Sequence, residues 1–570
     1  VTTIGYEAFD DLRNLVSVKI SESVKTIDEY AFDNCDYLTE VTIPDTVTTI
    51  GCRAFQNCEK LSKVTVGSDG TGMIHIDVGA FYSCTALENV SLSDSVVSIG
   101  DLAFEKCTEL KEIVIPDSVT SIGVQAFSLC GNLTIVKIGN GVESIGNLAF
   151  LGCKKVTDIV IGNSLTSIED YTFEATSLKN LTLGKSVKTI DNLAFSGVCE
   201  KVENLYVYDV ETWLGLEYAP GRLGLSLESI NIYFNKNLVK DVVIPNTVTN
   251  IRAGAFAFFK DLETVTISDS VNSIGYGAFE YCTKLEEIVI PDSVTNIGPN
   301  AFSDCNSLLS VELPNTVTSI GDYSFYECIN LQECKIPENL TYIGRGAFYG
   351  CDNLTGELFL PVNLTYIGDS AFYGCGNLTG EIVLPDGLTY IGNSAFFNCG
   401  RRFPDTLVIP ESVTYIGTGT FSGCDNIKGN LILPPNLTYI GYSAFEDCEG
   451  LTGTLVIPDG VTTIGGLAFY GCGFSGDLKI PDSVTILGEG AFWGSDINGC
   501  LTIGKGLTDM PVRAFCWTGI TDVVFNGEVI SIGNEAFKGC INLTDFSIPN
   551  SVNLIGESAF SYCNSLTSMI

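Results

Sequence analysis

One phrase recurs along the whole 570-residue sequence, and residues 110–130 show it clearly as LKEIVIPDSVTSIGVQAFSLC. The phenylalanine of its Ala-Phe pair occurs 23 times, at positions 9, 32, 55, 81, 104, 127, 150, 173, 195, 256, 279, 302, 325, 348, 372, 396, 421, 445, 469, 492, 515, 537 and 560. Most steps are 23 residues, those from Phe348 to Phe469 are 24 or 25, and the step from Phe195 to Phe256 is 61. A fixed period in the twenties predicts a solenoid in which each repeat forms one coil and packs on its neighbours.

The parts of the repeat predict the structure of one coil. The alternating Val-x-Ile segment predicts a short strand that pairs in parallel with the next coil, and Val-Thr-x-Ile predicts a second one. Gly follows in 17 repeats, and Asp, Glu, Arg or Pro in the other six. Because Gly and Asp are good N-cap residues, this position predicts the start of a helix of one to two turns, not a site that requires a positive φ. The Ala-Phe pair is predicted to place a ring in the core of every coil, so that the rings form an aromatic spine.

Cysteine lies three residues after the Phe in 17 repeats. Coils stacked at ~4.8 Å keep equivalent Cβ atoms farther apart than the ~3.8 Å typical of a disulfide. Most of the residues that replace this cysteine are also those that fill a small buried slot: Leu12, Thr176, Val198, Phe259, Ser495 and Thr518. We therefore expect a ladder of buried, reduced thiols that behave as small hydrophobic groups.

Composition excludes several classes of function. The chain has 30 Lys and Arg against 68 Asp and Glu, a formal net charge of -38, which disfavours nucleic acid and anionic membranes as partners. A single histidine, His75, excludes sites built on several imidazoles, and the sequence lacks Cys-x-x-Cys pairs, Gly-x-Ser-x-Gly and His-Glu-x-x-His. No apolar run is long enough to insert into a bilayer. We predict no catalytic residues, no metal site, no cofactor and no enzymatic activity.

Two positions become apolar or aromatic in successive coils of the 24-residue block. The middle residue of Val-x-Ile faces away from the core and is often polar elsewhere, but here it is Phe359, Val383, Val408, Ile432 and Val456. The variable residue of Val-Thr-x-Ile becomes Tyr342, Tyr366, Tyr390, Tyr415 and Tyr439. One interpretation is recent duplication, with tyrosines that stack on each other and hold the coils together. The other is a binding patch, because contiguous exposed apolar surface usually marks a contact site.

The pattern Ile-Gly-x-x-Ala-Phe-x-x-Cys resembles the 23-residue leucine-rich repeat of the Treponema pallidum type, found in BspA-like surface proteins. The resemblance covers about 1–198 and 245–570, and the stretch 207–220, VYDVETWLGLEYAP, is similar to a segment often seen in that family. It implies a secreted or wall-anchored protein that binds host or microbial partners and has no catalytic residues. Val1 and Ile570 both fall inside predicted strands, without polar capping repeats, so we expect a piece of a longer chain whose signal and anchor lie outside it.

The sequence thus predicts an α/β solenoid, a leucine-rich-repeat right-handed superhelix of about 23 coils with short parallel strands and short helices. The predicted domains are an N-terminal array over 1–198, an irregular insertion over 199–244 and a C-terminal array over 245–570. Trp213 is expected on a short helix in the insertion, which either plugs or bends the stack or contacts a partner.

The predicted function is that of a non-enzymatic binding or adhesion protein, extracellular or at the cell surface, with a protein or glycan ligand. The alternative is a structural spacer or self-associating scaffold without a specific ligand. Neither nucleic acid nor direct membrane insertion is expected.

Overall fold

A computed structural model describes residues 1–68, 70–198, 202–217, 227–356, 358–378, 383–399 and 406–569. The chain forms two compact units, Val1–Lys240 and Asp241–Ile570. Each is a stack of coils whose short strands pair in parallel with those of the adjoining coils. The predicted parallel-strand solenoid of about 23 coils is confirmed.

The first unit contains strands β1–β19 in its described residues. Their bounds are Thr3–Ile4, Thr26–Ile27, Glu40–Ile43, Thr49–Ile50, Lys63–Val66, Ile74–Ile76, Asn89–Leu92, Val96–Ile99, Glu112–Val114, Ser121–Ile122, Ile135–Lys137, Ser144–Ile145, Asp158–Val160, Ser167–Ile168, Asn180–Thr182, Thr189–Ile190, Asn204–Val207, Asn231–Phe234 and Asn237–Leu238. The first and second strands of the coils form separate sheets, and equivalent residues lie opposite each other, as Ser121 lies between Ser98 and Ser144.

The second unit contains strands β20–β45 in its described residues. Their bounds are Asp241–Val243, Asn250–Ile251, Thr264–Thr266, Ser273–Ile274, Glu287–Val289, Asn296–Ile297, Ser310–Glu312, Ser319–Ile320, Glu333–Lys335, Tyr342–Ile343, Tyr366–Ile367, Tyr390–Ile391, Thr406–Val408, Tyr415–Ile416, Asn430–Ile432, Tyr439–Ile440, Thr463–Ile464, Leu478–Ile480, Ile486–Leu487, Cys500–Ile503, Asp509–Met510, Asp522–Phe525, Ser531–Ile532, Asp545–Phe546, Leu554–Ile555 and Ser568–Met569. The same in-register parallel pairing recurs here, for example Tyr342 with Tyr366.

The helix predicted between the second strand and the cysteine is wrong, because this segment is a run of turns. Around Phe32, alternate amides reach the next coil: the N–H groups of Tyr30 and Phe32 donate to the carbonyls of Cys52 and Ala54 at 3.0 and 2.7 Å. The alternate amides, those of Ala31 and Asp33, bond three residues back in their own coil, to the carbonyls of Asp28 and Tyr30. Since every second amide is used between coils, the i to i−4 ladder of an α-helix cannot form. The described helices are only α1, Val210–Leu214, and the 3₁₀ turn Leu227–Ser229, and neither is long or apolar enough to cross a membrane.

The turns require left-handed backbone at two positions in most coils, two residues before and two after the Phe. Tyr30 and Asn34 show this with φ of 54° and 55°. The glycine four residues before the Phe is, as expected, not a positive-φ site, but helix capping is not its reason. A Cβ added to Gly51 would lie 2.7 Å from the carbonyl carbon of Asp28 in the preceding coil. Close approach of neighbouring coils therefore explains glycine at this position.

The Ala-Phe rings form the predicted spine within each unit. Phe127 is fully buried and stacks at a centroid distance of 5.3 Å on both Phe104 and Phe150, with interplanar angles of 5° and 4°. Comparable stacking joins the rings from Phe9 to Phe195 in the first unit and those from Phe256 to Phe560 in the second. The residue before each ring is small, alanine in 20 repeats and Thr172, Ser324 or Thr420 in the other three, so no large side chain separates the coils.

The cysteines form the predicted buried ladder, and their thiols also donate hydrogen bonds to the preceding coil. The thiol of Cys130 donates to the carbonyl of Phe104 in the preceding coil, with an Sγ–O distance of 3.2 Å. Cys153 does the same to Phe127, and Ser495 replaces the thiol with a hydroxyl that donates to Phe469 at 2.6 Å. Each of the described cysteines is a free thiol, and Cys199 lies outside the described residues.

Cys130→Val is expected to lower the free energy of unfolding by about 1 kcal/mol, because the side chain keeps its bulk but loses the bond to Phe104. Cys130→Ser should cost less, since the hydroxyl at Ser495 already fills the same role. Urea unfolding followed by circular dichroism measures both variants. Equal losses for Val and Ser would contradict the donor role of the thiol.

The described part of the insertion extends the first unit. Strands β17 and β18 continue the sheet of first strands in parallel, and β19 closes on β18 as an antiparallel hairpin. Asp209 caps α1 by accepting a hydrogen bond from the Thr212 amide at 2.8 Å. Trp213, in the middle of α1, is fully buried and has its ring centroid 6.5 Å from that of Phe234.

Candidate binding surfaces

The first candidate surface is the apolar row, defined as Phe359, Val383, Val408, Ile432 and Val456. The five side chains point away from the core and are between 49% and 69% exposed. Val408 and Ile432 lie in β32 and β34, whereas Phe359, Val383 and Val456 hold the same place in the repeat but lie outside the described strands. Val408 and Ile432 face each other across a parallel pair of strands. Lys335 and Lys479 occupy the same position in the coils before and after the row. Each is paired with a carboxylate, Glu312 or Asp459, at 3.1 and 3.4 Å.

A groove of about 470 Å³ lies at the Val456 end of the apolar row. Val456, Lys479 and Thr502, which occupy the same position of the repeat in three successive coils, line it together with Asp459 and Asp477. The row therefore ends in a concave region where apolar and charged groups meet.

The second candidate surface is the tyrosine row, defined as Tyr342, Tyr366, Tyr390, Tyr415 and Tyr439. Tyr366 stacks on Tyr342 and Tyr390 at centroid distances of 4.8 and 4.7 Å, and Tyr415 stacks on Tyr439 at 4.6 Å. These are the contacts that the stacking interpretation requires, and they leave most of the rings half-buried.

Carboxylates beside the tyrosine row hold two of its hydroxyls. The hydroxyl of Tyr390 donates to Asp369 at 3.3 Å, and that of Tyr342 donates to Asp322 at 3.5 Å. Burial, with the charge of Asp369, raises the pKa of Tyr390 to about 12. These phenols therefore remain protonated donors across the physiological range.

The ten residues of the predicted patch lie in two rows on different faces of the coil. Strands β32 and β34, which carry Val408 and Ile432, form one sheet, whereas β33 and β35, which carry Tyr415 and Tyr439, belong to another. A turn closed by the Leu437 amide and the Pro434 carbonyl at 3.1 Å separates the two positions in that coil. A ligand on one row is therefore not automatically a ligand on the other.

A third surface, in the first unit, was not predicted from the sequence. It is a groove of about 500 Å³ beneath the turn of the β18–β19 hairpin. Its sequence signal is that the residue after the first strand changes from Pro116 to glycine in three successive coils and then to Tyr208. Within the described ranges, no group of three or more His, Cys, Asp or Glu side chains could hold a metal ion.

Comparison with models of known protein families shows to which family the chain is related. A family model described as a BspA-type leucine-rich repeat region matches residues 2–77, 74–203, 229–355, 356–475 and 452–567. The chain belongs to the BspA-type leucine-rich repeat family. No curated protein matches the chain.

Several solved structures of leucine-rich repeat proteins are similar to it. One from Bacteroides ovatus is 26% identical, with 62% of this chain and 82% of that chain covered and a TM-score of 0.27. A leucine-rich cell surface protein from Faecalibacterium prausnitzii is 27% identical, with 60% and 86% covered and a TM-score of 0.27. A leucine-rich repeat protein of T. pallidum is 32% identical over 28% of this chain and 77% of its own, also with a TM-score of 0.27.

Proposed function

We propose that this leucine-rich repeat protein is a non-enzymatic binding protein that contacts a protein or glycan partner outside the cell. The observation that carries the proposal is the apolar row, in which five aliphatic or aromatic side chains of successive coils are about half exposed or more. Such a row is about 20 Å long at the spacing of stacked strands. Contiguous apolar surface of this kind is typical of contact sites, not of free surface.

The fold supports binding by keeping the row rigid. Phe372 and Phe396, from the coils that contain Phe359 and Val383, stack at 5.5 Å beneath the surface. Because the scaffold is ordered before it meets a partner, little conformational entropy is lost on contact. An aromatic anchor such as Phe359 beside aliphatic neighbours is the composition that favours an apolar patch on a protein partner.

Substitution of Phe359, Val383 and Val408 together by Thr tests the proposal. Thr is the residue at this position in other coils, such as Thr266 and Thr502, and is compatible with a strand. We expect the affinity for a purified extracellular-matrix protein or arrayed glycan that binds the parent to fall at least about tenfold, measured by surface plasmon resonance.

The matched control is Val243→Thr with Val289→Thr, which changes equally exposed valines at the same strand position outside the row. It should leave binding unchanged. A second arm changes Tyr366, Tyr390 and Tyr415 to Ser, the residue at this position in other coils. If every measured partner binds this folded variant as before, the tyrosine row only stacks. If the apolar-row variant also binds as before, the proposal is wrong.

The stacked tyrosines favour a second candidate, a spacer or self-associating scaffold, because ring stacking stiffens the coils without a ligand. Analytical ultracentrifugation separates the two functions. A mass that rises with concentration, and returns to the monomer value when the apolar row is changed to Thr, would favour self-association. A monomer that binds a partner through the row favours the binding function.

A further inference from the structure

The unpredicted groove of the first unit has an aromatic end wall. Tyr206 lies in register between Thr182 and Tyr233. Its ring stacks on Tyr233 at 4.6 Å, so one face is covered, and its other face is directed toward the smaller Thr182. Tyr206 and Thr182 both line the groove. A flat ring at the end of a groove is a platform for a ligand ring whose C–H groups carry partial positive charge.

Two positions in the lining of the groove are glycines that the close approach of neighbouring coils requires. Gly139 and Gly162 follow the first strand in their coils, and a Cβ at either would lie within 2.4 Å of a backbone oxygen of the preceding coil. Tyr208 stands at the equivalent position farther along and is exposed. The wall is completed by the tight hairpin turn at Asn235 and Lys236, where both residues have positive φ, 48° and 67°.

Amide side chains border the floor. Asn140 donates through Nδ2 to both carboxylate oxygens of Asp117 at 3.3 Å, and Asn163 donates through Nδ2 to Oδ1 of Asn140 at 2.9 Å. Asn163 Nδ2 makes one hydrogen bond in this ladder, which leaves its second N–H for a ligand. Amide N–H and C=O groups beside an aromatic platform match the hydroxyl groups and C–H faces of a sugar.

The charge of the groove is opposite to that of the chain. Its charged lining residues are Lys137, Lys236 and Asp117, whereas the chain as a whole has a net charge of -38. Asp117 is already engaged by Asn140, through its backbone amide at 2.6 Å as well as its side chain. Within the described residues, neither lysine forms an ion pair. Two exposed ammonium groups without a carboxylate partner favour an anionic ligand.

We propose that this groove of the first unit binds an acidic oligosaccharide, with one or more of its carboxylates at Lys137 and Lys236 while one sugar ring stacks on Tyr206. An acidic peptide is less suited to the site. The bordering strands β11, β13 and β15 are each paired on both sides, so no backbone edge is free to add a peptide strand. The volume of about 500 Å³ lies within the usual range for a small-ligand site.

Isothermal titration calorimetry of the intact chain tests the site with two acidic probes, an oligogalacturonate and sialyllactose. The neutral counterparts are the methyl-esterified oligogalacturonate and lactose, and a triglutamate peptide represents the peptide class. We expect at least one acidic sugar to bind roughly tenfold more tightly than its neutral counterpart and to lose affinity as salt is raised. Which of the two binds identifies a uronate or a sialate as the acidic unit.

Two variants test the lysines and the aromatic ring of the site separately. Lys137→Glu with Lys236→Glu should lower affinity for the acidic sugar roughly tenfold or more and leave the neutral counterpart unchanged. Tyr206→Thr, which copies Thr182 of the preceding coil, should weaken both. Lys335→Glu in the second unit is the matched control, because Lys335 occupies the same strand position outside the groove.

Several outcomes would overturn the proposal. They are absence of binding by both acidic sugars, equal binding of triglutamate, or an equal loss of affinity in Lys335→Glu. Because Lys137 and Lys236 are exposed, their substitution keeps the test decisive if Tyr206→Thr fails to fold. The apolar-row variant should bind the acidic sugar as the parent does, so this site and the second-unit surface fail or succeed separately.

Discussion

Phe127→Ala is expected to lower the free energy of unfolding by about 3–5 kcal/mol, because it opens a cavity in the middle of the aromatic spine. The ring is fully buried, and the two rings that flank it lie 5.3 Å away on either side. Backbone hydrogen bonds fix the spacing of the coils, for example from the Phe127 amide to the Ala149 carbonyl at 2.8 Å. The neighbours therefore cannot close on the vacated space.

Phe9→Ala is the matched control, since Phe9 has the same place in its repeat but is 39% exposed and, among the described residues, stacks only on Phe32, at 5.0 Å. Its loss of stability should be less than half as large. Hydrogen exchange locates the damage, which should be greatest in the coils that contain Phe104 and Phe150, because each coil contacts only its neighbours. Equal destabilisation by the two changes would contradict a continuous spine.

The coil architecture was predictable because a repeat that buries the same residues every 23 positions has few ways to pack. Alternation in Val-x-Ile predicted which side chains face inward, and the Ala-Phe pair predicted the aromatic residue at the centre of the core. The helix was predicted wrongly because the repeat contains good capping residues, and capping is a local preference. The amide of Phe32 instead bonds the next coil at 2.7 Å, a contact that is absent from any single repeat. Packing between coils thus overrode local propensity.

The candidate surfaces were also predictable to different degrees, because a single repeat specifies its own strand but not how the coils pack together. Exposure of Val408 and Ile432 follows from alternation within one strand. Their separation from Tyr415 and Tyr439 depends on how the coil turns at Pro434, which the residue pattern does not specify. The groove beside Tyr206 combines side chains from several coils with a hairpin, so no single repeat contains its signal.

The buried thiols give the protein an expected sensitivity to alkaline pH, which is the second large effect. Burial raises the pKa of the Cys153 thiol to about 12 and holds the pKa of Cys107 and Cys130 well above the ordinary value. An unfolded thiol ionises near pH 8.5, roughly. At neutral pH the thiols are protonated in both states and their contribution to stability is complete. Between the unfolded and folded pKa values only the unfolded chain releases protons, so stability falls as pH rises.

Each such thiol should remove about 1.4 kcal/mol of stability per pH unit in this window. Three thiols in coils that unfold together, such as Cys107, Cys130 and Cys153, should remove about 4 kcal/mol per pH unit. Urea unfolding in a reducing buffer should therefore give a constant midpoint near neutral pH, and the midpoint should drop steeply once the pH rises above the unfolded pKa of roughly 8.5.

The matched variant replaces Cys107, Cys130 and Cys153 together with Ser, as found at Ser495. Serine keeps a donor to the carbonyl of the preceding coil but does not ionise, so the alkaline loss should become shallower by about 4 kcal/mol per pH unit. The surface charges are unchanged in this variant, so self-repulsion at high pH affects both proteins alike. Identical pH dependence of the two would show that the thiol ladder is not the titrating element. A shallower curve would show that the buried thiols of this slot destabilise the stack once they ionise.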